Sequence, residues 1–156
     1  MASYEGIEYL RRKLAQKRIR VKMRYGYYEM KNNQIDKSPM TPPQLRYIKH
    51  VLGWCGKSVD SIADRLLFRE FEEDNFDINQ IFRMNNPDVL FDSAILSALI
   101  AACCFIYISP DDTGYPRLQV IDGANATGII DPITGLLTEG YAVLERDKNG
   151  TPLIEA

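Results

Sequence analysis

The hydrophobic pattern changes period near residue 102, and this constrains the fold more than any other feature of the chain. From Val89 to Ala101 apolar residues recur at helical spacing. From Cys103 the chain reads CCFIYIS, then PDDTGYP, then RLQVID, the pattern of a strand, a hairpin connection and a second strand. Two more turn signals follow: DPITG at 131–135, between TGIID and LLTEGYAVLER, and DKNG at 147–150, before TPLIEA. The pattern predicts an α+β fold, with N-terminal helices followed by antiparallel β hairpins or a meander from about Cys104 onward. At 156 residues, 46% of them hydrophobic, the chain suffices for one domain with a real core.

The N-terminal half divides into three pieces. Over 7–28, Ile7, Leu10, Leu14, Val21, Tyr25 and Tyr28 fall within a sector of about 60° on a helix turning about 100° per residue, and basic residues take the rest of the circumference. A polar, proline-rich linker, NNQIDKSPMTPP, ends in Thr41-Pro-Pro-Gln44, a capping box with proline at the first helical position. A helix is expected from about Lys57 to Leu67, with Val59, Ile62, Ala63 and Leu66 on one face. A short strand burying Phe68 and Phe71 should follow, then a short helix capped by Asp77 and carrying Ile78, Ile81 and Phe82. The expected organisation is a basic N-terminal helix over 1–32, a prolyl linker over 33–43 and an α+β domain over 44–156. A last strand without a return partner leads us to expect that the chain continues in its parent protein.

Candidate chemistry is sparse. GWCGKSVD at 53–60 ends like a phosphate-binding P-loop, and LQVID places Asp122 at a strand end as a magnesium-binding strand would. The first glycine of such a loop belongs five residues before Gly56, where Val51 stands, and the segment before it reads as helix rather than strand. A nucleotide hydrolase built on Lys57, Ser58 and Asp122 is therefore the least favoured reading. The single His50 excludes multi-histidine metal sites. The acidic run Glu70, Glu72, Glu73 and Asp74 lacks ligand spacing, and Cys103 and Cys104 read as small hydrophobes in an apolar stretch. We expect no catalytic residue, cofactor or metal. Three cysteines without a CxxC pair suit a reducing cytoplasm, and the first 24 residues hold no apolar signal segment. The longest apolar stretch, Ala94 to Ile108, is 15 residues interrupted by Ser97, short of the ~20 needed to span a bilayer, so no membrane role is expected.

Charge is uneven. Residues 1–24 hold eight Lys or Arg against two acidic residues, a net +6 within an overall −2, so the remaining 132 residues carry −8. Arg11, Arg12, Lys13, Lys17, Arg18 and Arg20 are the candidates for contact with nucleic acid or an acidic partner, set against a plain solvated helix face. A nucleic-acid-binding adaptor using this helix is the alternative functional reading.

The order of the pieces carries a resemblance. RYGYYEM (24–30) leads through the linker to PPQLRYIKHVLGWCGKSVDSIADRLLF (42–68), then LFDSAILSALIAACCFIYISPDDTGYPRLQVIDG (90–123), then IIDPITGLLTEGYAVLER (129–146). This series resembles the N-terminal part of tailed-bacteriophage portal proteins. In that family a Tyr-Tyr element ending in glycine precedes an Asn-Trp turn into a helix. A helix-to-strand segment pivoting on glycine follows, and then a hairpin with an Asp-Pro turn. The match covers most of residues 24–156 and places GWCGKSVD at the Asn-Trp turn, which makes Lys57 an ordinary helix residue. Met30, Gly53 and Ala102 stand where the family favours Gly, Asn and Gly. At the last of these, glycine lets the backbone pass from helix to strand at little steric cost.

The resemblance implies a non-enzymatic structural subunit, the outer, wing-like region of a ring at the head–tail vertex. Implied partners are other portal subunits, terminase, capsid or scaffold proteins and head–tail connector proteins, with DNA passing through the full ring. The implied locations are the virion and, during assembly, the host cytoplasm. Tyr28, Trp54, Asp60, Asp131 and Pro132 take structural roles. Trp54 in particular should be a buried anchor whose removal costs ~3–5 kcal/mol.

Overall fold

The computed structural model describes residues 6–31, 39–46, 51–73, 75–112 and 114–156. Most of the prolyl linker and His50 lie outside the described residues. Four α-helices precede five strands: α1 (Ile7–Tyr28), α2 (Trp54–Ala63), α3 (Ile78–Met84), α4 (Pro87–Ala101), then β1 (Cys104–Ser109), β2 (Arg117–Asp122), β3 (Ala126–Ile130), β4 (Leu137–Arg146) and β5 (Pro152–Glu155). The class is α+β, as the change of period predicts.

The strands form two small antiparallel sheets. β1 and β2 pair from Cys104 opposite Asp122 to Ser109 opposite Arg117. The second sheet has the order β3-β4-β5, with a bulge between Ile129 and Ile130. The β3–β4 turn is built by Asp131: Oδ1 accepts the Ile133 N–H at 2.9 Å and Oδ2 accepts the Thr134 hydroxyl at 2.8 Å. These bonds hold the Asp131 carboxyl below its ordinary value. Pro132 fills the exposed next position of the turn, and Gly135 closes it at φ 70.

α1 seals both halves of the molecule. Leu10 and Leu14 pack with Tyr141 and Val143 of β4, and Ile129 flanks them. Val21 packs with Ala101 and Ala124, flanked by Tyr25. Three of the six apolar positions in the sequence stripe are thus fully buried, while Ile7 is exposed. The helix ends in a Schellman arrangement: Lys31 N–H donates to the Gly26 carbonyl at 2.8 Å and Met30 N–H to the Tyr27 carbonyl at 3.2 Å. The left-handed position of that motif is Met30, at φ 63.

Several expectations for residues 41–77 are corrected. Pro43–Leu45 form one 3-10 turn with no side-chain cap, so Thr41 and Gln44 make no capping box. α2 starts at Trp54 and ends at Ala63. Its inner face is Gly56, Val59 and Ala63, while Ile62 and Leu66 are exposed. A Cβ at Gly56 would come within 3.0 Å of the Tyr28 carbonyl oxygen, so glycine is what lets α2 approach α1. Trp54, two residues earlier and so about 200° round the helix, points outward and is 76% exposed. It is not a buried anchor.

No strand forms at 68–72. The Phe71 N–H and carbonyl bond to the amide side chain of Asn79 at 3.1 and 3.2 Å, which supplies the partners a neighbouring strand would have given. Phe68 and Phe71 are half-buried in a ring cluster with Phe82 and Phe91, and Phe68 stacks on Phe91 at 3.8 Å between centroids. Asp77 precedes α3 in a left-handed conformation and makes no side-chain cap.

The passage from α4 to β1 runs through Ala102 at φ 68 and ψ 6. A left-handed alanine costs about 1–2 kcal/mol, and Ala102 is exposed, so its methyl packs on little that offsets this. Ala102→Gly should therefore stabilise the chain by about 1 kcal/mol in chemical denaturation; an unchanged or lowered midpoint would contradict the assigned backbone. Trp54 should emit as a water-exposed indole and be quenched freely by acrylamide. Trp54→Ala should change stability by less than about 1 kcal/mol, as an exposed site does. A blue-shifted, protected emission from the monomer would return Trp54 to the core.

Candidate functional site

The six basic candidates all lie on α1, and the structure divides them by what each side chain reaches. Lys13 and Lys17 turn inward. Lys13 Nζ donates to the Gly128 carbonyl at 2.8 Å and lies 5.8 Å from the centre of the Tyr9 ring. Lys17 Nζ donates to the Ala126 carbonyl at 3.3 Å, approaches Cys103 Sγ at 2.7 Å and sits 5.3 Å from the Phe105 ring. Both ammonium groups serve the interior. Cys103 is accordingly an acceptor in a polar contact, a correction to its reading as a plain small hydrophobe.

Arg11 is also engaged. Its guanidinium bonds Glu8 one turn back at 3.2 Å and Glu155 of β5 at 2.5 Å. Tyr141 donates its hydroxyl to the same carboxylate at 2.5 Å. The Tyr141 hydroxyl and then the Arg11 guanidinium hold the Glu155 carboxyl below its ordinary range. Burial, then the bond to Glu155, pushes the Tyr141 phenol up, and the same network raises Arg11 further. Arg12 remains exposed, with Nε donating to the Glu8 carbonyl at 3.3 Å. Arg20 is exposed beside Ile19 and Met23, which are 74% and 52% exposed. Arg18 alone has a buried N–H, its Nε, with no acceptor among the described residues.

Arg24, outside the six candidates, is a further cation of α1 with a structural partner. Its Nη1 donates to the Ala101 carbonyl at 3.0 Å and so answers the C-terminus of α4. Its place on the helix one turn after Val21 and next to Tyr25 in sequence was the available signal for that contact. Tyr28 and Asp60 are brought together: the Tyr28 hydroxyl donates to Asp60 Oδ1 at 2.8 Å and fastens α2 to the end of α1. That bond, then burial, raises the Tyr28 phenol.

The remaining chemical candidates stay apart. Gly56, Lys57 and Ser58 lie inside α2 rather than in a loop before it. Asp122 closes the β2–β3 turn by accepting the Ala124 N–H, and among the described residues no hydrogen bond or ion pair joins it to Lys57. An open cleft of about 610 Å³ between α4 and β2 contains Ser97, which is buried. Among the described residues no cluster of three His, Cys, Asp or Glu has the arrangement of a metal site, and no helix is long and apolar enough to cross a membrane. No protein-family model matches the chain, and no curated protein matches it in sequence.

The Glu155 network yields a pH dependence of defined sign. A carboxyl whose value is lowered on folding stabilises the fold above its unfolded value, about 4.3 for Glu, and loses that contribution as pH falls through the lower folded value. The thermal midpoint of the wild-type chain should therefore drop more steeply below about pH 4.5 than that of Glu155→Gln. Parallel pH profiles for the two proteins would rule out the Arg11–Glu155–Tyr141 network as a source of stability.

Proposed function

We propose that the chain is the N-terminal, wing-like part of a portal subunit of a tailed-bacteriophage head. It is a structural, non-enzymatic component whose partners are further copies of itself, terminase, capsid or scaffold proteins and head–tail connectors. The observation that carries the reading is the geometry at the three positions that depart from the family's pattern. Met30 and Ala102, which replace family glycines, both take the left-handed conformation that glycine adopts at least cost. Met30 and Gly53 also face each other: a Cβ at Gly53 would come within 3.1 Å of the Met30 methyl group. The side chain gained at position 30 thus occupies the space that an asparagine at position 53 would use. In this reading the departures fit one backbone plan.

The surface adds support. Trp54, Ile62 and Leu67 are exposed on α2 and the segment after it, the kind of apolar surface that an assembled subunit covers. The adaptor reading is weakened because Lys13 and Lys17 donate to carbonyls of β3 and Arg11 is held at the surface by Glu8 and Glu155, which leaves Arg12 and Arg20 as the exposed candidates with no ion pair among the described residues.

The test is assembly. The parent protein containing these residues should form closed rings in electron micrographs, with Trp54 emission blue-shifted relative to the isolated chain. Residues 1–156 alone should sediment as monomers or weak, concentration-dependent oligomers at micromolar concentration. A parent protein that stays monomeric under the same conditions overturns the proposal, as does a parent ring in which Trp54 remains fully quenchable.

A further inference from the structure

Arg18 occupies the middle of α1, between Leu14 and Val21, which pack the two core clusters. Its Nε–H is buried and lacks an acceptor among the described residues. A buried donor on a charged group is costly to leave unpaired, and in folded proteins such groups regularly meet water or a ligand. Two openings adjoin the side chain. One, of about 340 Å³, lies between α1 and the β4–β5 hairpin and is bounded by Arg11, Arg18, Arg146 and Glu155. The other, of about 590 Å³, lies between α1 and the β2–β3 turn and is bounded by Arg18, Lys22 and Lys31 on the basic side, by Glu29 and Asp122 on the acidic side, and by Asn125.

Asn125 and Arg146 join the two openings. Arg146 Nε donates to Asn125 Oδ1 at 3.2 Å and its Nη1 to the Gly150 carbonyl at 3.1 Å, so the guanidinium is fixed in place with Nη2 unbonded among the described residues. The carboxylates nearby are already engaged. Glu155 takes Arg11 and Tyr141, Glu29 pairs with Lys31, and Asp122 accepts the Ala124 N–H. Two guanidinium groups therefore share one cavity wall, and no carboxylate is bonded to either. Burial, then the charge of Arg18, holds the Arg146 guanidinium below its ordinary value, although the Glu155 carboxylate acts in the opposite direction.

We propose that Arg18 and Arg146 form an oxyanion site that takes a phosphate group in the opening between α1 and the β4–β5 hairpin. The Nε–Nη edge of Arg18 is the planar fork that holds two oxygens of one tetrahedral anion. Arg146 Nη2 supplies a donor held from a second direction. Two guanidinium groups beside a carboxylate that Arg11 and Tyr141 already hold favour a phosphate over a singly charged carboxylate. The phosphate is either free in solution or part of a nucleic-acid backbone. The site stands independently of the portal reading, since it rests on Arg18, Arg146 and Asn125 and not on the positions that support that reading.

The test is a titration of the full chain followed through the Nε–Hε resonances of arginine by NMR. Sodium phosphate, added at constant ionic strength, should shift the Arg18 and Arg146 resonances saturably in the millimolar range or below, and sodium chloride should not. Arg18→Gln should weaken the saturable response at Arg146 at least tenfold, and Arg18→Lys should weaken it less. If the variants fail to fold, the wild-type resonances still decide the matter. No saturable shift, or an equal response to chloride, overturns the site; so does an unchanged response in Arg18→Gln. A short DNA duplex provides the second arm. Shifts of the same two resonances assign the phosphate to a nucleic-acid backbone, whereas a response to inorganic phosphate alone assigns it to a small ligand.

Discussion

The fold depends on the apolar stripe of α1. The two sheets share no ladder of hydrogen bonds, and one of them is a lone two-stranded hairpin, which is marginal by itself in water. What bridges them is one helix that buries Leu10 and Leu14 against β4 and Val21 against Ala101 and Ala124. Each such side chain is worth about 1.5–3 kcal/mol when fully buried. The hinge between α4 and β1 lies under Val21, so the same residue also fixes where the chain changes from helix to strand.

Polar contacts repeat the helix's spacing. Lys13 and Lys17 stand four residues apart, about 6 Å along α1. Their acceptors, the carbonyls of Gly128 and Ala126, stand two residues apart, about 6.7 Å along β3. The two rises nearly match, and the order of the pairs shows that α1 and β3 run in opposite directions. β3 pairs with β4 on one side, and its free edge is met by two inward-pointing lysines. Such lysines are a known means of protecting an edge strand from another chain. The basic character of α1 is thus partly a property of the sheet it covers.

The parts of this fold legible in the sequence are those set by local chemistry. Strand ends follow from Asp131, Gly135 and Gly150, whose turn conformations each residue type favours by itself. The α1 stripe and the α4–β1 junction follow from apolar period alone. The misplaced elements turn on distant partners. Trp54 looked like an anchor because it is large and flanked by apolar residues, yet the contact that seats α2 is made by Gly56 against a backbone oxygen of α1. Phe68 and Phe71, three residues apart, would point to opposite faces of a strand; instead Asn79 takes the Phe71 backbone bonds and both rings join one aromatic cluster. For the basic residues, no periodicity distinguishes a lysine that ends in water from one that ends on a carbonyl of β3.

Backbone strain is unevenly distributed, and the distribution bears on assembly. In the hairpin connections the left-handed positions are Gly114, Gly135 and Gly150, where they cost little. At the helix ends they are Met30, Phe76, Asp77, Asn86 and Ala102. Asn and Asp tolerate this conformation, but Met, Phe and Ala do so at a cost of about 1–2 kcal/mol each. The helical half therefore carries most of the strain. It is also the half in which α2 fully buries only Gly56 and leaves Trp54 and Ile62 exposed, as are Leu66 and Leu67 just after it. Few buried contacts together with strained ends place α2 and its flanks at the low end of local stability. In the portal reading, the surface offered to a neighbouring subunit is then the one that the fold itself holds least firmly. Burying it against a neighbour would add apolar contact where the isolated chain has least, so closing a ring and consolidating this half of the subunit become one linked step.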